Sequence, residues 1–351
     1  MNSINPSFTS NYTSYTINQS SSQRTEQTST SSVSSDSFTP SSKSLDDDFA
    51  KADQLKQASA TSKVGEKSTS DPITLTIIST NDMHGQYQLM PKVAGVIDAL
   101  RERYPDAIVV DGGDSTYNPP FSEVNEFGPI TDVLNEMKYD VITLGNHEFQ
   151  YGKESTSKDF ALKLDADVVS ANVHDKSLKD NLDGVKPYVV KDVNGLKVAF
   201  VGLVKPKMHT KAHPNVGKDL VKESTIEAMQ RLMPEIKKEA DVVIALTHQG
   251  LGDDERMASH IKDISLVLAA HDHVSTSKPI VVGNYPSKTY IVENGSHCKM
   301  VGLSQLTIAP ETHKVLDFKF KQYPVETYGV KPNQNVAKII NDYEPVDPHH
   351  R

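Results

Sequence analysis

Seven polar side chains stand just past apolar runs of this chain. They are Asp82 and His84 in "STNDMHG", Asp114 in "VDGGDS", Asn146 in "LGNHE", His248 in "ALTHQG", and His271 and His273 in "AAHDHV". His147 follows Asn146 directly. Taken singly, each has an ordinary explanation: an Asp or Asn after a strand caps a helix, and a lone His makes a structural hydrogen bond. Taken together, they are costly to bury unless a cation satisfies them. Carboxylate oxygens mixed with imidazoles suit Mn, Zn, Fe or Mg better than a thiolate-loving ion. The set is too large for one tetrahedral site and fits two divalent metal ions sharing a carboxylate.

Such residues need strands that deliver them to one place. From "ITLTIIST" (73–80) onward, β-branched runs alternate with amphipathic stretches, the pattern of α/β organisation. The expected elements are a strand at 73–80, a helix around 92–103, the strand "AIVVDGG", a helix around 129–138 and the strand "VITLG". A hairpin is expected around Asn194-Gly195 in "YVVKDVNGLKVAFVGLV". A long helix near 220–239 leads into "DVVIALTHQG" and then "ISLVLAAHDHV", and the end of the chain is rich in strands. Open α/β sheets bind ligands in the crevice beyond the carboxyl ends of their strands, where all seven residues fall.

The 351 residues carry a formal net charge of -9, with 36% hydrophobic and 24% charged content. That balance argues against a general nucleic-acid or membrane surface, so neither is expected as a direct partner, and phosphate chemistry would need bound cations. A single cysteine, Cys298, excludes an intramolecular disulfide and reads as a half-buried strand residue rather than a nucleophile. Residues 1–70 are dominated by Ser, Thr, Asn and Gln and cannot bury enough apolar surface to offset ordering entropy, so a disordered tail is expected. It is either a linker or a polar export signal of the type carried by bacterial secreted effectors, and the second reading brings an export chaperone as a partner. The N-terminus lacks the basic start and apolar stretch of a Sec signal peptide, and no later run approaches membrane-spanning length. The expected location is the cytoplasm, or a host cell reached by a signal-peptide-independent route.

The ordered series "DMHG", "GGDS", "GNHE", "THQG" and "HDH" resembles the calcineurin-like metallophosphoesterases, and "TNDMHG" and "LGNHEFQYG" look most like the 5'-nucleotidase branch. The similarity covers roughly 73–325. It implies a four-layer αββα metallophosphoesterase sandwich over residues 71–330, with 331–351 as a C-terminal extension. It further implies that Asp82, His84 and His273 hold one metal and that Asn146, His248 and His271 hold the other, with Asp114 bridging them. A hydroxide between the metals would then attack phosphorus. His147 matches the family histidine that contacts the phosphoryl group and protonates the leaving oxygen.

Three departures from the family pattern bear on activity. Where the nucleotidase branch has an aspartate that orients the catalytic histidine, this chain has Gln150. Its carbonyl can still accept a hydrogen bond from the ring, but a neutral amide stabilises imidazolium less than a carboxylate does, so weaker acid catalysis is expected. Another carboxylate replacing the aspartate, or Gln150 simply facing solvent, are the alternatives. Secondly, "LAAHDH" has alanines where glycines are common, which metal binding tolerates if those positions are extended. Thirdly, the chain stops soon after the catalytic domain should close, so no separate nucleobase-gripping domain is expected. Base recognition would fall to loops: "STYNPPFSEVNEFGP", with Tyr117, Asn118 and Phe121, reads as one wall of the pocket or as a plain surface loop, and the Lys- and His-bearing "KPKMHTKAHPNVG" (205–217) as a loop that recognises anionic groups or as a solvated charged loop. His174 is read as structural and His297 has no assigned role.

The leading expectation is a two-metal phosphoesterase acting on a small phosphorylated molecule, most simply a nucleotide. A metal-binding pseudoenzyme or phosphate-ligand binding module is the first alternative, and a secreted effector phosphatase acting on host nucleotides or phosphoproteins is the second.

Overall fold

A computed structural model describes Phe49 and residues 71–117, 125–177, 180–207, 218–327 and 329–343. Apart from Phe49, the expected tail over 1–70 lies outside the described residues, as do 118–124 and 208–217 of the two loops named above. In chain order the elements are β1 (Ile73–Thr80), α1 (Met90–Arg103), β2 (Ile108–Asp111), α2 (Gly128–Glu136), β3 (Val141–Thr143), β4 (Asp167–Val169), β5 (Val173–Asp175), β6 (Val185–Lys186), β7 (Tyr188–Val193), β8 (Leu196–Val204) and β9 (Leu220–Lys222). There follow α3 (Thr225–Glu239), β10 (Val242–His248), α4 (Leu251–His260), β11 (Leu266–Ala269), β12 (Ile280–Val282), β13 (Thr289–Glu293), β14 (Met300–Ile308), β15 (Val315–Pro324) and α5 (Gln334–Asp342). Short helical turns fill 147–163.

Two mixed sheets carry the fold. One has the order β15-β14-β1-β2-β3-β4-β6 and the other β12-β13-β11-β10-β8-β7. Strand alternation sorts their side chains into three apolar layers. Leu75 and Ile77 of β1 face Phe200, Ile244 and Leu246 of the other sheet, forming the core between the sheets. The neighbouring Ile78 points the opposite way and joins Val93 and Ile97 of α1 and Ile130 of α2. On the far side, Val243 and Ala245 of β10 pack with Met229 of α3 and Met257 of α4. Helices thus cover the outer face of each sheet, which is the expected αββα sandwich.

Local sequence chemistry accounts for several boundaries. Pro91 and Pro129 open α1 and α2 at positions where the missing N–H costs nothing. Asn194 and Gly195 both have positive φ (57° and 80°), the requirement of a tight turn, and β7 pairs antiparallel with β8 around them. The helix expected near 220–239 begins only at Thr225. Leu220–Lys222 instead pairs with β5 in a separate two-stranded sheet. Within the expected extension over 331–351, α5 is capped by the Asn333 side chain and buries Val336. Asn333 donates to Asp98 of α1 (2.8 Å) and the Tyr343 hydroxyl to Asp132 of α2 (2.5 Å). Among the described residues, no helix is long and apolar enough to cross a membrane.

Candidate metal centre

The carboxyl ends of β1, β2 and β3 in one sheet meet those of β10 and β11 in the other. Asp82 and His84 follow β1, Asp114 follows β2, Asn146 and His147 follow β3, His248 ends β10, and His271 and His273 follow β11. Five of these residues have left-handed backbone: Asp82 (φ 48°), His84 (48°), Asp114 (52°), His271 (91°) and His273 (61°). Each such conformation costs on the order of 1–3 kcal/mol and persists only where the surroundings dictate it. Here the loops are tied to one another: Asp82 N–H donates to Gly113 O and His84 N–H to Asp114 O, both 2.9 Å, and His297 N–H donates to Asp82 O (2.7 Å). The positive φ falls on the two histidines of "AAHDH" and not on the alanines, since Ala269 ends β11 in extended backbone.

The side chains converge tightly. His84 Nε2 lies 3.0 Å from His273 Nε2, and Asp82 Oδ1 lies 3.3 Å from His273, 3.7 Å from His84 and 3.8 Å from His248. Asp114 Oδ2 lies 3.0 Å from His248 Nε2 and 4.0 Å from His84 Nε2. Three groups have ligand atoms close enough to share an ion: Asp82 with His84 and His273; Asp82 with Asp114 and His248; and His84 with Asp114 and His147. The His271 ring stands 5.2 Å from that of His248.

Two further observations fit cations. Asp82 Oδ1 and Asn146 Oδ1 are buried with no hydrogen-bond partner among the described residues, although such acceptors are normally satisfied. The electrostatics also call for positive charge. Burial opposes charge on His248, yet Asp114 and Asp82 outweigh it and lift the imidazole to about 10. Burial holds His84 down at about 4 and lowers His271, leaving neutral rings with a lone pair to offer. His248 Nδ1 is engaged by Gly112 O (2.9 Å), which aims Nε2 into the cluster.

His147 is half-buried at the start of a helical turn, and Asp114 Oδ1 accepts its backbone N–H (2.7 Å). Its ring stacks on Tyr117, with centroids 4.8 Å apart and planes 10° from parallel. Gln150 caps the same turn and is 1% exposed, which rules out a solvent-facing side chain. Neither of its amide atoms makes a hydrogen bond, and His147 Nδ1 is likewise without a partner, so the expected bond from ring to carbonyl is not formed. The bond that does link the two residues is between main chains, Gln150 N–H to His147 O (3.0 Å). Among the described residues no other carboxylate hydrogen-bonds the His147 ring.

Several supporting residues escaped the sequence reading. Glu148, fully buried, accepts the N–H groups of Gly145 (2.7 Å), Asp114 and Ser115 (both 2.9 Å), bolting the β2 and β3 loops together. Burial pushes Glu148 up to about 7, and those donors oppose the shift. The loops approach so closely that a side chain on Gly145 would collide with the Asp114 carboxylate. Glu148→Gln would turn an amide N–H₂ toward backbone donors and is expected to cost on the order of 1–3 kcal/mol of stability. Urea unfolding checks this, and an unchanged midpoint would contradict it. Glu293 secures the β11 loop by accepting Val274 N–H (3.0 Å), and Asn81 donates to Asp82 Oδ2 (2.8 Å) and Gly295 O (2.7 Å).

The remaining expected positions divide clearly. His297 lies at the site, its ring 5.1 Å from His84 and 5.4 Å from His273. His174 sits on β5 beside Asn181 and Glu223, away from the cluster. Cys298 lies in a turn before β14 rather than on a strand and is 3% exposed, more deeply buried than expected; burial pushes its thiol up, away from nucleophilic use. Asn118 and Phe121 lie outside the described residues.

Comparison with known proteins places this architecture in a family. Residues 75–275 match the family model for calcineurin-like phosphoesterases, so the chain belongs to that family. It is 28% identical over 271 residues to a trifunctional nucleotide phosphoesterase protein, YfkN, of Bacillus subtilis, covering 64% of this chain and 18% of that one. It is 27% identical over 239 residues to a 5'-nucleotidase of Diplobatis ommata, covering 61% of this chain and 41% of that one. The chain therefore spans less than half the length of these two relatives. Among solved structures, the YfkN calcineurin-like phosphoesterase superposes with a TM-score of 0.68 at 25% identity, covering 77% of this chain and 96% of that one. A 5'-nucleotidase precursor from Thermus thermophilus shares the fold with the same TM-score at 23% identity, over 77% of this chain and 58% of that one.

Proposed function

We propose that the chain is a metal-dependent phosphoesterase that hydrolyses small phosphorylated molecules, nucleotides first among them. The observation that carries this reading is the pair of buried carboxylates, Asp82 and Asp114, wedged among imidazoles with unpartnered acceptor atoms beside them. The names of the nucleotidase relatives support the substrate class. Asp82, His84 and His273 would hold one divalent ion (Mn, Zn, Fe or Mg), and Asn146, His248 and His271 the second. Asp114, whose Oδ2 faces both His84 and His248, would lie between them. Ions held there supply an activated water and neutralise the phosphoryl oxygens. The catalytic unit is read as 71–330, with 331–351 as an extension whose α5 packs on it.

The chain's own groups do the rest. Asp114 holds the His147 loop through the backbone N–H, and Tyr117 fixes the plane of the ring. His147 then donates a proton to the leaving oxygen. Gln150 lies three residues on in the same turn, the spacing at which side chains of a 3₁₀ turn share a face, and carries no charge. Gln150→Asp is expected to raise rates on alkyl phosphates more than on aryl phosphates, whose leaving groups need little protonation. Equal or reduced rates on both would remove this role.

Two measurements test the reading. Mn²⁺ at a hundredfold excess over its Kd is expected to stabilise the chain by about 2.7 kcal/mol, because the unfolded chain has no such site. A melting temperature indifferent to Mn²⁺ and to chelator would count against the ligand set. Phosphate release across nucleoside mono-, di- and triphosphates and nitrophenyl mono- and diesters then defines the substrate. Metal-loaded protein that releases no phosphate would favour a binding module.

A further inference from the structure

Beside the metal-ligand cluster the structure has a cleft of about 450 Å³, within the size range of small-molecule sites, that the proposed chemistry leaves unused. Two of its lining residues are tied to the proposed ligand His248 through the main chain. Lys205 N–H donates to His248 O (2.9 Å), and Gln249, the next residue, lines the cleft wall.

The charge around this cleft runs against that of the molecule. The chain is acidic overall, yet Lys205, Lys207 and Arg256 line the cleft against a single carboxylate, Asp253. Cations on nearby α3 are matched: Arg231 to Glu223, Lys237 to Asp263 and Lys238 to Glu235. Among the described residues, the three cations of the cleft have no carboxylate within ion-pair distance. Thr225, at the start of the 15-residue α3, turns its hydroxyl to Gln249 (2.7 Å), and Ser224 makes no side-chain cap. The start of α3 thus has no cap from the Ser224 side chain at the cleft wall, which adds to its preference for an anion. Two ammonium groups and a planar guanidinium suit the three terminal oxygens of a phosphate.

We infer that this cleft is a second phosphate subsite, and that the preferred substrate is a small bisphosphorylated molecule with one phosphate at the metal centre and the other held by Lys205, Lys207 and Arg256. The inference rests on the phosphoesterase reading of the adjacent centre. It also gives the acidic chain a means of selecting doubly phosphorylated substrates over singly phosphorylated ones.

The test uses the full chain with Mn²⁺ and compares adenosine 3',5'-bisphosphate with the 3'- and 5'-monophosphates and p-nitrophenyl phosphate. The wild type is expected to favour the bisphosphate in kcat/KM by about tenfold or more, mostly through KM. In Lys207→Gln/Arg256→Gln, the ratio of bisphosphate to p-nitrophenyl phosphate activity should fall by about tenfold. No preference in the wild type, or an unchanged ratio in the double variant, would overturn the inference. If no substrate turns over, the catalytic reading fails separately, and calorimetry with adenosine 3',5'-bisphosphate decides the subsite. A Kd weakened by about tenfold in the double variant supports it; an equal Kd overturns it.

Discussion

Asp114→Asn is expected to reduce kcat/KM for phosphate release by about a thousandfold or more, equivalent to about 4 kcal/mol of transition-state stabilisation. The substitution preserves shape, and Oδ1 can still accept the His147 backbone N–H. What changes is the atom between the two proposed ligand sets. Oδ2, 3.0 Å from His248 and 4.0 Å from His84, becomes a neutral group or an N–H₂ donor that cannot share two cations. Asp82 offers a cation only Oδ1, which belongs to the first ligand set, because its Oδ2 is already committed to Asn81 and to the His271 backbone N–H. Metal analysis should show tight binding of fewer than two ions per chain. Full activity in Asp114→Asn would mean that the carboxylate only supports the loops.

His147→Ala carries the second large effect, a loss of about a hundredfold to ten-thousandfold on alkyl phosphates, within the range of general acid catalysis. The loss should shrink on p-nitrophenyl phosphate, where the leaving group departs without a proton. The metal content should remain that of the wild type. This last readout matters because the His147 ring lies close enough to His84 and Asp114 to join a ligand group. Loss of a metal along with activity would reassign His147 from acid to ligand. A uniform loss across all leaving groups would make it a phosphoryl contact rather than a proton donor.

Much of the site was legible because strand-end residues announce themselves. An apolar run such as "ITLTIIS" fixes a buried strand, so the polar residues after it must sit at the sheet's carboxyl edge, and five such edges carried metal-compatible groups. The hairpin at Asn194-Gly195 was legible for a different reason, since two adjacent positive φ values need those residue types. Less visible were interactions whose partners are main chain. Glu148 acts on backbone N–H groups from two loops, and backbone leaves no signature at the distant positions it binds. The β5–β9 pair consists of three-residue strands, too short for alternation to register. The basic cleft draws Lys205 and Lys207 from the Lys- and His-bearing run that the sequence marks, but Arg256 comes from a segment about fifty residues on, and nothing local ties it to them.

Gln150 shows where composition and geometry part. The residue type suggested a neutral hydrogen-bond partner for His147, whereas the structure buries the amide without any partner and holds the imidazole by stacking on Tyr117. A buried amide with no hydrogen bond is costly in a folded chain. The Gln150 position is therefore one at which stability and catalysis should respond together to substitution.

The most direct measurement is phosphate release by chelator-stripped protein as Mn²⁺ is added back, with the bound metal counted at each step. The expected result is no turnover in the stripped chain and activity that rises to a plateau at about two ions per chain, as a shared-carboxylate centre requires. Phosphate release that survives removal of metal, or two bound ions with no turnover on any phosphate ester, would contradict a two-metal phosphoesterase.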